Sequence, residues 1–351
     1  MATGATLLLA TGAAMALAAG ATPGALLPLP CPSSAGWQVI RRIELPRRST
    51  TGQILGGFSA ASYNPDHDSL LLLSDLPSGT VTRWGGLAGD ARPELRGLVP
   101  LRGGAGLRLP DAIDAEALVP LGDQWWVASE GRRSPERPAQ LLRFDAASGT
   151  LRGAWDLPPD WQPGEGKGLA SNGGPESLVL LPGGGPSKSA ALLMAAELPL
   201  LQDPRSQVRL LRWSWPLGAD PARADPQPGP QGALQLPRGE GWGLTDLLLV
   251  APDRLLGLLR RFEPPDRWQI RLALYPLPPA GATRAAAPLA EWDLITTGLE
   301  PDNWEGLSPG PPLPDGHPSL LLVSDDNLSP FQANRLALLT ARRSAGCPAP
   351  G

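Results

Sequence analysis

The sequence predicts an all-β protein folded as a β-propeller with five to six blades of four antiparallel strands, six being the expected number, and three observations lead there. Glycine (42) and proline (43) are spread along nearly all of the 351 residues; proline removes a backbone donor and glycine costs helix stability, so long helices are disfavoured. No window outside the N-terminus keeps a 3.6-residue apolar period free of both residues. A hairpin pattern recurs instead, its opening acids Glu116, Glu176, Asp246 and Glu305 lying about 60 to 70 residues apart, and self-similarity at such a period marks repeat architectures. A β-sandwich is the competing arrangement, but sandwiches rarely repeat internally.

Residues Met1 to Pro30 are apolar, Ala-rich and uncharged apart from the terminal amine, with Ala19-Gly20-Ala21 ahead of a proline-rich spacer. They read as an export signal, with an uncleaved membrane anchor as the rival, and residues 31–347 follow as a single domain. No other stretch approaches the roughly 20 apolar residues of a spanning helix. The only cysteines, Cys31 and Cys347, flank the domain; in an oxidising compartment they tie its ends together, and otherwise they are two free thiols.

Five hairpins follow in order. The first runs from Gly57-Phe58-Ser59 through a turn at Asn64-Pro65-Asp66 to Ser74-Asp75. The second runs from Asp114-Ala115-Glu116, turns at Gly122-Asp123 and ends at Glu130; the third runs from Pro175-Glu176-Ser177 over a turn from Pro182 to Pro186 to Glu197. The fourth starts at Leu244-Thr245-Asp246, turns at Pro252-Asp253 and ends at Arg260-Arg261, and the fifth runs from Asp302-Asn303-Trp304-Glu305 to Ser324-Asp325-Asp326-Asn327. Outer strands are expected at Gln140 to Phe144, Val208 to Trp215, Gln269 to Tyr275 and Arg335 to Thr340, several with the alternation of a half-exposed strand. The proline-rich stretch from Gly218 to Gly232 reads as a surface loop.

An antiparallel hairpin delivers the start of its first strand and the end of its second to one edge. The expected pairs are Glu116 with Glu130, Glu176 with Glu197, Glu305 with Asp326, and Asp246 with Arg260 or Arg261. Blades around one axis gather these edges into a ring of carboxylates. Crowded carboxylates call for a hard divalent cation, a shared proton or an arginine, and oxygen-rich sets favour Ca²⁺ or Mg²⁺. The candidate metal ligands are Glu116, Glu130, Glu176, Glu197, Glu305, Asp326 and Asn303; Arg132, Arg260, Arg261 and Trp304 are candidate substrate contacts. The competing explanation is that acids simply suit strand ends and stay solvated there.

Other chemistries fare worse. A net charge of −4 offers no electrostatic case for nucleic acid. The run Gly306-Leu307-Ser308-Pro309-Gly310 fits G-x-S-x-G, yet that motif needs a backbone N–H just after the serine and Pro309 has none. His67 and His317 are the only histidines and both fall in hairpin turns, away from any Ser-His-Asp geometry. Most tryptophans are expected to pack between blades.

The phrases Asp114-Ala115-Glu116-Ala117-Leu118, Trp126-Val127-Ala128-Ser129-Glu130-Gly131, Asn172-Gly173-Gly174-Pro175-Glu176-Ser177, Asp302-Asn303-Trp304-Glu305-Gly306-Leu307 and Val323-Ser324-Asp325-Asp326-Asn327 resemble the phytase-like family, also described as esterase-like activity of phytase. The resemblance implies a propeller exported or membrane-associated in bacteria, with hydrolytic activity on phosphate or other esters. By analogy with calcium-dependent propeller phytases it implies Ca²⁺ on the acidic ring and catalytic roles for Glu305, Glu176 and Glu116, with a small anionic ester or phosphoester as substrate. The first blade opens without an acid and basic residues near the ring are few, which argues against phytate itself. A secreted or periplasmic monomer is the expectation. The alternatives are a non-catalytic propeller that binds a ligand or partner at the same face, and a lactonase-like hydrolase with one central calcium.

Overall fold

Each expected hairpin forms the inner half of one antiparallel four-stranded sheet. The computed structural model describes residues 27–109, 113–132, 134, 137–183 and 190–347. After β1 (Trp37–Glu44), blade 1 comprises β2 (Phe58–Asn64), β3 (Ser69–Ser74), β4 (Thr80–Gly85) and β5 (Glu94–Pro100), and blade 2 comprises β6 (Ala115–Leu121), β7 (Gln124–Ser129), β8 (Gln140–Asp145) and β9 (Leu151–Asp156). Blade 3 holds β10 (Pro175–Leu181), β11 (Ala191–Ala196), β12 (Gln207–Ser214) and β13 (Gln227–Gln235). Blade 4 holds β14 (Gly243–Ala251), β15 (Arg254–Glu263), β16 (Arg267–Pro276) and β17 (Ala290–Asp293). Blade 5 holds β18 (Trp304–Pro312), β19 (Pro318–Ser324) and β20 (Arg335–Ala341), and β1 pairs with β20 as its fourth strand.

This makes an all-β propeller of five blades, the lower of the two expected counts. A sixth blade does not form because the chain between the N-terminal segment and Phe58 supplies only β1, and β1 completes the fifth sheet. Inner strands β2, β6, β10, β14 and β18 touch in turn, and β18 returns to β2, so the ring is closed.

The apolar core is divided among the five seams between blades. Trp126, Met194 and Trp213 fill the seam of blades 2 and 3, and Trp242, Leu244 and Tyr275 that of blades 3 and 4. Trp37, Leu258 and Trp304 fill the seam of blades 4 and 5, Phe58 and Trp84 that of blades 5 and 1, and Trp125 and Phe144 that of blades 1 and 2. The sequence places most tryptophans at inter-blade positions, and there Trp125, Trp126, Trp213 and Trp242 are; at one seam Arg143 lies over Trp126 at 5.5 Å and over Trp155 at 5.2 Å.

Two expectations change. The stretch from Gly218 to Gly232 is not all loop: its second half enters β13, where Pro228 and Pro230 pair with Trp213 and Leu211. β13 is the outermost strand of its sheet, and an edge strand tolerates proline because one row of its N–H groups has no ladder partner. Cys31 and Cys347 form a disulfide, settling the choice between a bridge and free thiols. Leu27 packs in the seam of blades 4 and 5, so the packed chain begins ahead of Cys31. Residues 1–26 of the expected signal, Arg133, and part of the turn from Pro182 to Pro186 lie outside the described residues. Among the described residues no helix is long and apolar enough to cross a membrane.

Candidate metal centre at the axial mouth

The site is built by one irregularity repeated five times. The inner strand of each blade begins with a β-bulge: the register passes from Phe58↔Ser74 to Ala60↔Leu73, from Ala115↔Ser129 to Ala117↔Ala128, and from Pro175↔Ala196 to Ser177↔Ala195. It passes likewise from Leu244↔Leu259 to Asp246↔Leu258 and from Trp304↔Ser324 to Gly306↔Val323. The residues left out of the ladder are Ser59, Glu116, Glu176, Thr245 and Glu305. A bulge bends the strand and re-aims one side chain, so equivalent positions of five blades present their side chains at one end of the axis. Across from them, one residue past the ladder, stand Asp75, Glu130, Glu197 and Asp325, while Arg260 holds the equivalent place in blade 4 and still pairs with Gly243.

This register corrects three sequence expectations. Thr245, not Asp246, is the fourth counterpart of the glutamates. Asp246 sits one position on, and its carboxylate accepts from the backbone N–H groups of Leu247 (2.7 Å) and Leu307 (2.7 Å) instead of meeting Arg260 or Arg261. Asp325, not Asp326, is the partner of Glu305 in the ring. Asp326 is 1% exposed and fully engaged: it accepts from Gly57 N–H (3.0 Å), Leu328 N–H (3.1 Å) and Arg47 (2.8 Å), which makes it a clamp between blades 5 and 1.

Arg260 is the cation of the ring, 2.7 Å from Glu305 and 3.1 Å from Glu197. Asn303 donates to Glu305 (2.9 Å) and to Asp325 (3.2 Å), while its buried Oδ1 has no partner. Arg132, half exposed, pairs with Asp114 at 2.9 Å. Glu130 accepts from Gly173 N–H at 3.2 Å. Two glycines make room for the acids: a Cβ on Gly174 would lie 2.4 Å from Cγ of Glu130, and one on Gly243 would lie 2.5 Å from Oε1 of Glu197.

Two expected substrate contacts lie elsewhere. Arg261 faces away from Arg260 and pairs with Glu263 at 2.7 Å. Trp304 is buried in the seam of blades 4 and 5, its indole N–H donating to the Glu300 carbonyl, so it packs the fold. Ser308 lies within β18 and accepts from Tyr63 N–H while donating to the Pro309 carbonyl, a structural role with no nucleophile elbow. His67 and His317 sit in hairpin turns as expected.

Carboxylates outnumber cations at this mouth, and their titration follows. Burial raises the Asp75 carboxyl to about 7, with Glu305 and Asp114 adding to it; burial and Asp114 raise Glu130 to about 7, and burial with Glu305 raises Asp325 to about 8. Burial, then the charge of Glu305, pushes Glu116 well above the usual range; burial, then Glu116, does the same to Glu176. Burial also raises Glu197, against the pull of Arg260. Burial opposes the charge of Arg260, yet Glu305, Glu197 and Glu176 hold its pKa above the ordinary arginine value.

One subset has metal-ligand spacing. Oxygen atoms of Asp114, Glu116 and Glu130 all lie within 4.8 Å of one another. Of the three, only Asp114 has an arginine in salt-bridge contact among the described residues. An oxygen-only set, partly dehydrated and short of positive charge, suits a hard divalent cation such as Ca²⁺. Asp114 and Asp75 were not among the ligands expected from sequence, although each stands at the end of a hairpin that the sequence marks; Asp325 is one of the acids that the family resemblance carries over.

Fold and site together define a closed five-bladed propeller with carboxylates gathered at one end of its axis. The chain belongs to the phytase-like family described as esterase-like activity of phytase, which it matches over residues 53–328. No curated protein matches it in sequence. Among solved structures it aligns with the N-terminal domain of Nup159 at 10% identity and TM-score 0.34, covering 87% of this chain and 95% of that one. It also aligns with the Pan2 WD40 domain of Neurospora crassa at 8% identity and TM-score 0.40, covering 89% and 97%. Neither likeness bears on function.

Proposed function

We propose that the protein is a metal-assisted hydrolase of small anionic esters or phosphoesters, with a cation such as Ca²⁺ held by Asp114, Glu116 and Glu130. The observation that carries this reading is the convergence of those three carboxylates within 4.8 Å, in a ring whose arginines neutralise only part of its charge. A bound cation would supply charge neutralisation at the ester and a more acidic water. The chain's own residues do the rest. Arg132, half exposed at the rim, draws in and orients the anionic group. Glu176, whose proton burial and Glu116 retain, donates that proton to the leaving oxygen. Arg260 and Asn303 fix Glu305 and Glu197 in place around them.

Export accompanies this reading, because a disulfide such as Cys31–Cys347 persists in oxidising compartments. The test is calorimetric titration of the protein with Ca²⁺, repeated on Glu116→Gln, followed by a phosphatase and esterase panel with Ca²⁺ and with chelator. Binding that is lost in the variant, together with chelator-sensitive turnover, is the expected result. Absence of Ca²⁺ binding by the wild type would sink the metal mechanism and leave a propeller that binds a ligand without turning it over.

A further inference from the structure

Blade 4 departs from the other four at the mouth. In blades 1, 2, 3 and 5 the second strand stops at Ser74, Ser129, Ala196 and Ser324, and a loop follows. β15 continues instead: past Arg260↔Ile270 the register runs through Arg261↔Gln269, Phe262↔Trp268 and Glu263↔Arg267, turning at Pro264, Pro265 and Asp266. At about 3.4 Å per residue this arm rises roughly 10 Å beyond Arg260.

The arm has two unlike faces, because strand residues alternate. On one, Glu263 is the acceptor for Arg261 (2.7 Å), Arg267 (3.2 Å) and Gln269 (3.0 Å), a polar clasp that braces the hairpin. On the other, Phe262 follows Leu256, Leu258 and Arg260 up the side that packs against blade 5, and pairs with Trp268, ring centroids 4.6 Å apart. Leu256 and Leu258 are wholly buried in the seam, whereas Phe262 is 44% exposed. A lone exposed phenylalanine needs no explanation. This one is half of an aromatic pair that carries an apolar seam out of the fold, two residues above the arginine that binds Glu197 and Glu305. Small-molecule sites combine such an apolar wall with a few convergent polar groups.

We infer that Phe262 and Trp268 are specificity-determining residues, forming a wall that receives an aryl or other planar apolar group on one side of the substrate's ester bond. The inference rests on the hydrolytic reading above and names its substrate class. Aromatic pairing of this kind is worth about a factor of 2 to 10 in affinity.

Two readouts separate the inference from the reading beneath it. The first is kcat/KM for phenyl phosphate relative to ethyl phosphate, compared between wild type and Phe262→Ala, so that intrinsic ester reactivity cancels. The second is binding of phenol against ethanol, followed by ligand-observed NMR, which needs no turnover. The expected result is a fall of at least threefold in the phenyl preference and a matching loss of phenol binding in Phe262→Ala. Both should be retained in Phe262→Tyr and in Leu217→Ala, an exposed residue that follows β12 at the opposite end of the propeller. Phenol binding that is unchanged in Phe262→Ala overturns the wall, as does measurable turnover with an unmoved preference. Loss of phenol binding in Phe262→Ala, with a wild type that turns over no member of the phosphatase and esterase panel, would retain the wall and refute the hydrolase.

Discussion

Arg260 occupies the place where the other four blades put a closing acid, Asp75, Glu130, Glu197 and Asp325, and its replacement is the most informative single change in the ring. It contacts Glu197 and Glu305 directly, and its charge also lowers the pKa of Glu176. Removing one partner of a buried ion pair leaves uncompensated charge and costs about 3–5 kcal/mol, more than the pair itself contributes. Arg260→Met is therefore expected to destabilise the protein by about that amount near pH 8, as measured by urea denaturation. The loss should shrink toward pH 5, where protonation of the surrounding carboxyls relieves the repulsion. A stability unchanged at pH 8 would mean that the acids around Arg260 are solvated, contrary to the burial of Glu176, Glu197 and Glu305.

At the scale of the element, the hairpin is both what the sequence announces and where its reading falls short. Glu116, Glu176 and Glu305 were legible as one repeated position because Glu is a poor turn former and recurs at the head of an apolar strand. Asp246 was misplaced by one residue because the bulge residue of its blade is a threonine and no local composition marks a bulge; Asp326 was misplaced because it adjoins Asp325 and only the register at Ser324 separates the two. The blade count had the same origin: strand β1 is separated from its partner β20 by nearly the whole chain, and local patterning carries no trace of that pairing. Spatial neighbours from adjacent blades were equally hidden, as with Gly174, whose missing side chain leaves space for Glu130. Gly174→Ala should displace the stem of Glu130 and weaken Ca²⁺ binding by about 10- to 100-fold without removing a ligand, as losses of supporting contacts do. Calorimetry against Gly97→Ala, where an added Cβ meets nothing within 4 Å, is the check. Equal affinities would show that Glu130 lies outside the metal site.

For the whole molecule, the closed ring makes the mouth a shared electrostatic load. Blade 5 is completed by β1, and the Cys31–Cys347 disulfide locks the two ends beside that junction, so blades cannot splay apart to relieve repulsion at the axis. The folded protein instead holds protons that the unfolded chain would release. Asp75 and Glu130 titrate at about 7 and Asp325 at about 8, against ordinary carboxyl values of about 4. The native state thus binds more protons than the unfolded state between those limits, and stability must fall as pH rises through that window. In chelator, the melting temperature is expected to decline steadily from pH 5 to pH 8.5. Saturating Ca²⁺ should flatten that decline, because the ion takes the place of the protons on Asp114, Glu116 and Glu130, and its affinity should rise with pH as the ligands ionise. Thermal denaturation across this range, with chelator and with Ca²⁺, measures both effects. A chelator curve that rises with pH would mean that the ring is ionised in the fold and compensated by arginine alone; a decline that Ca²⁺ leaves untouched would mean that protons, and not a metal, hold the mouth together.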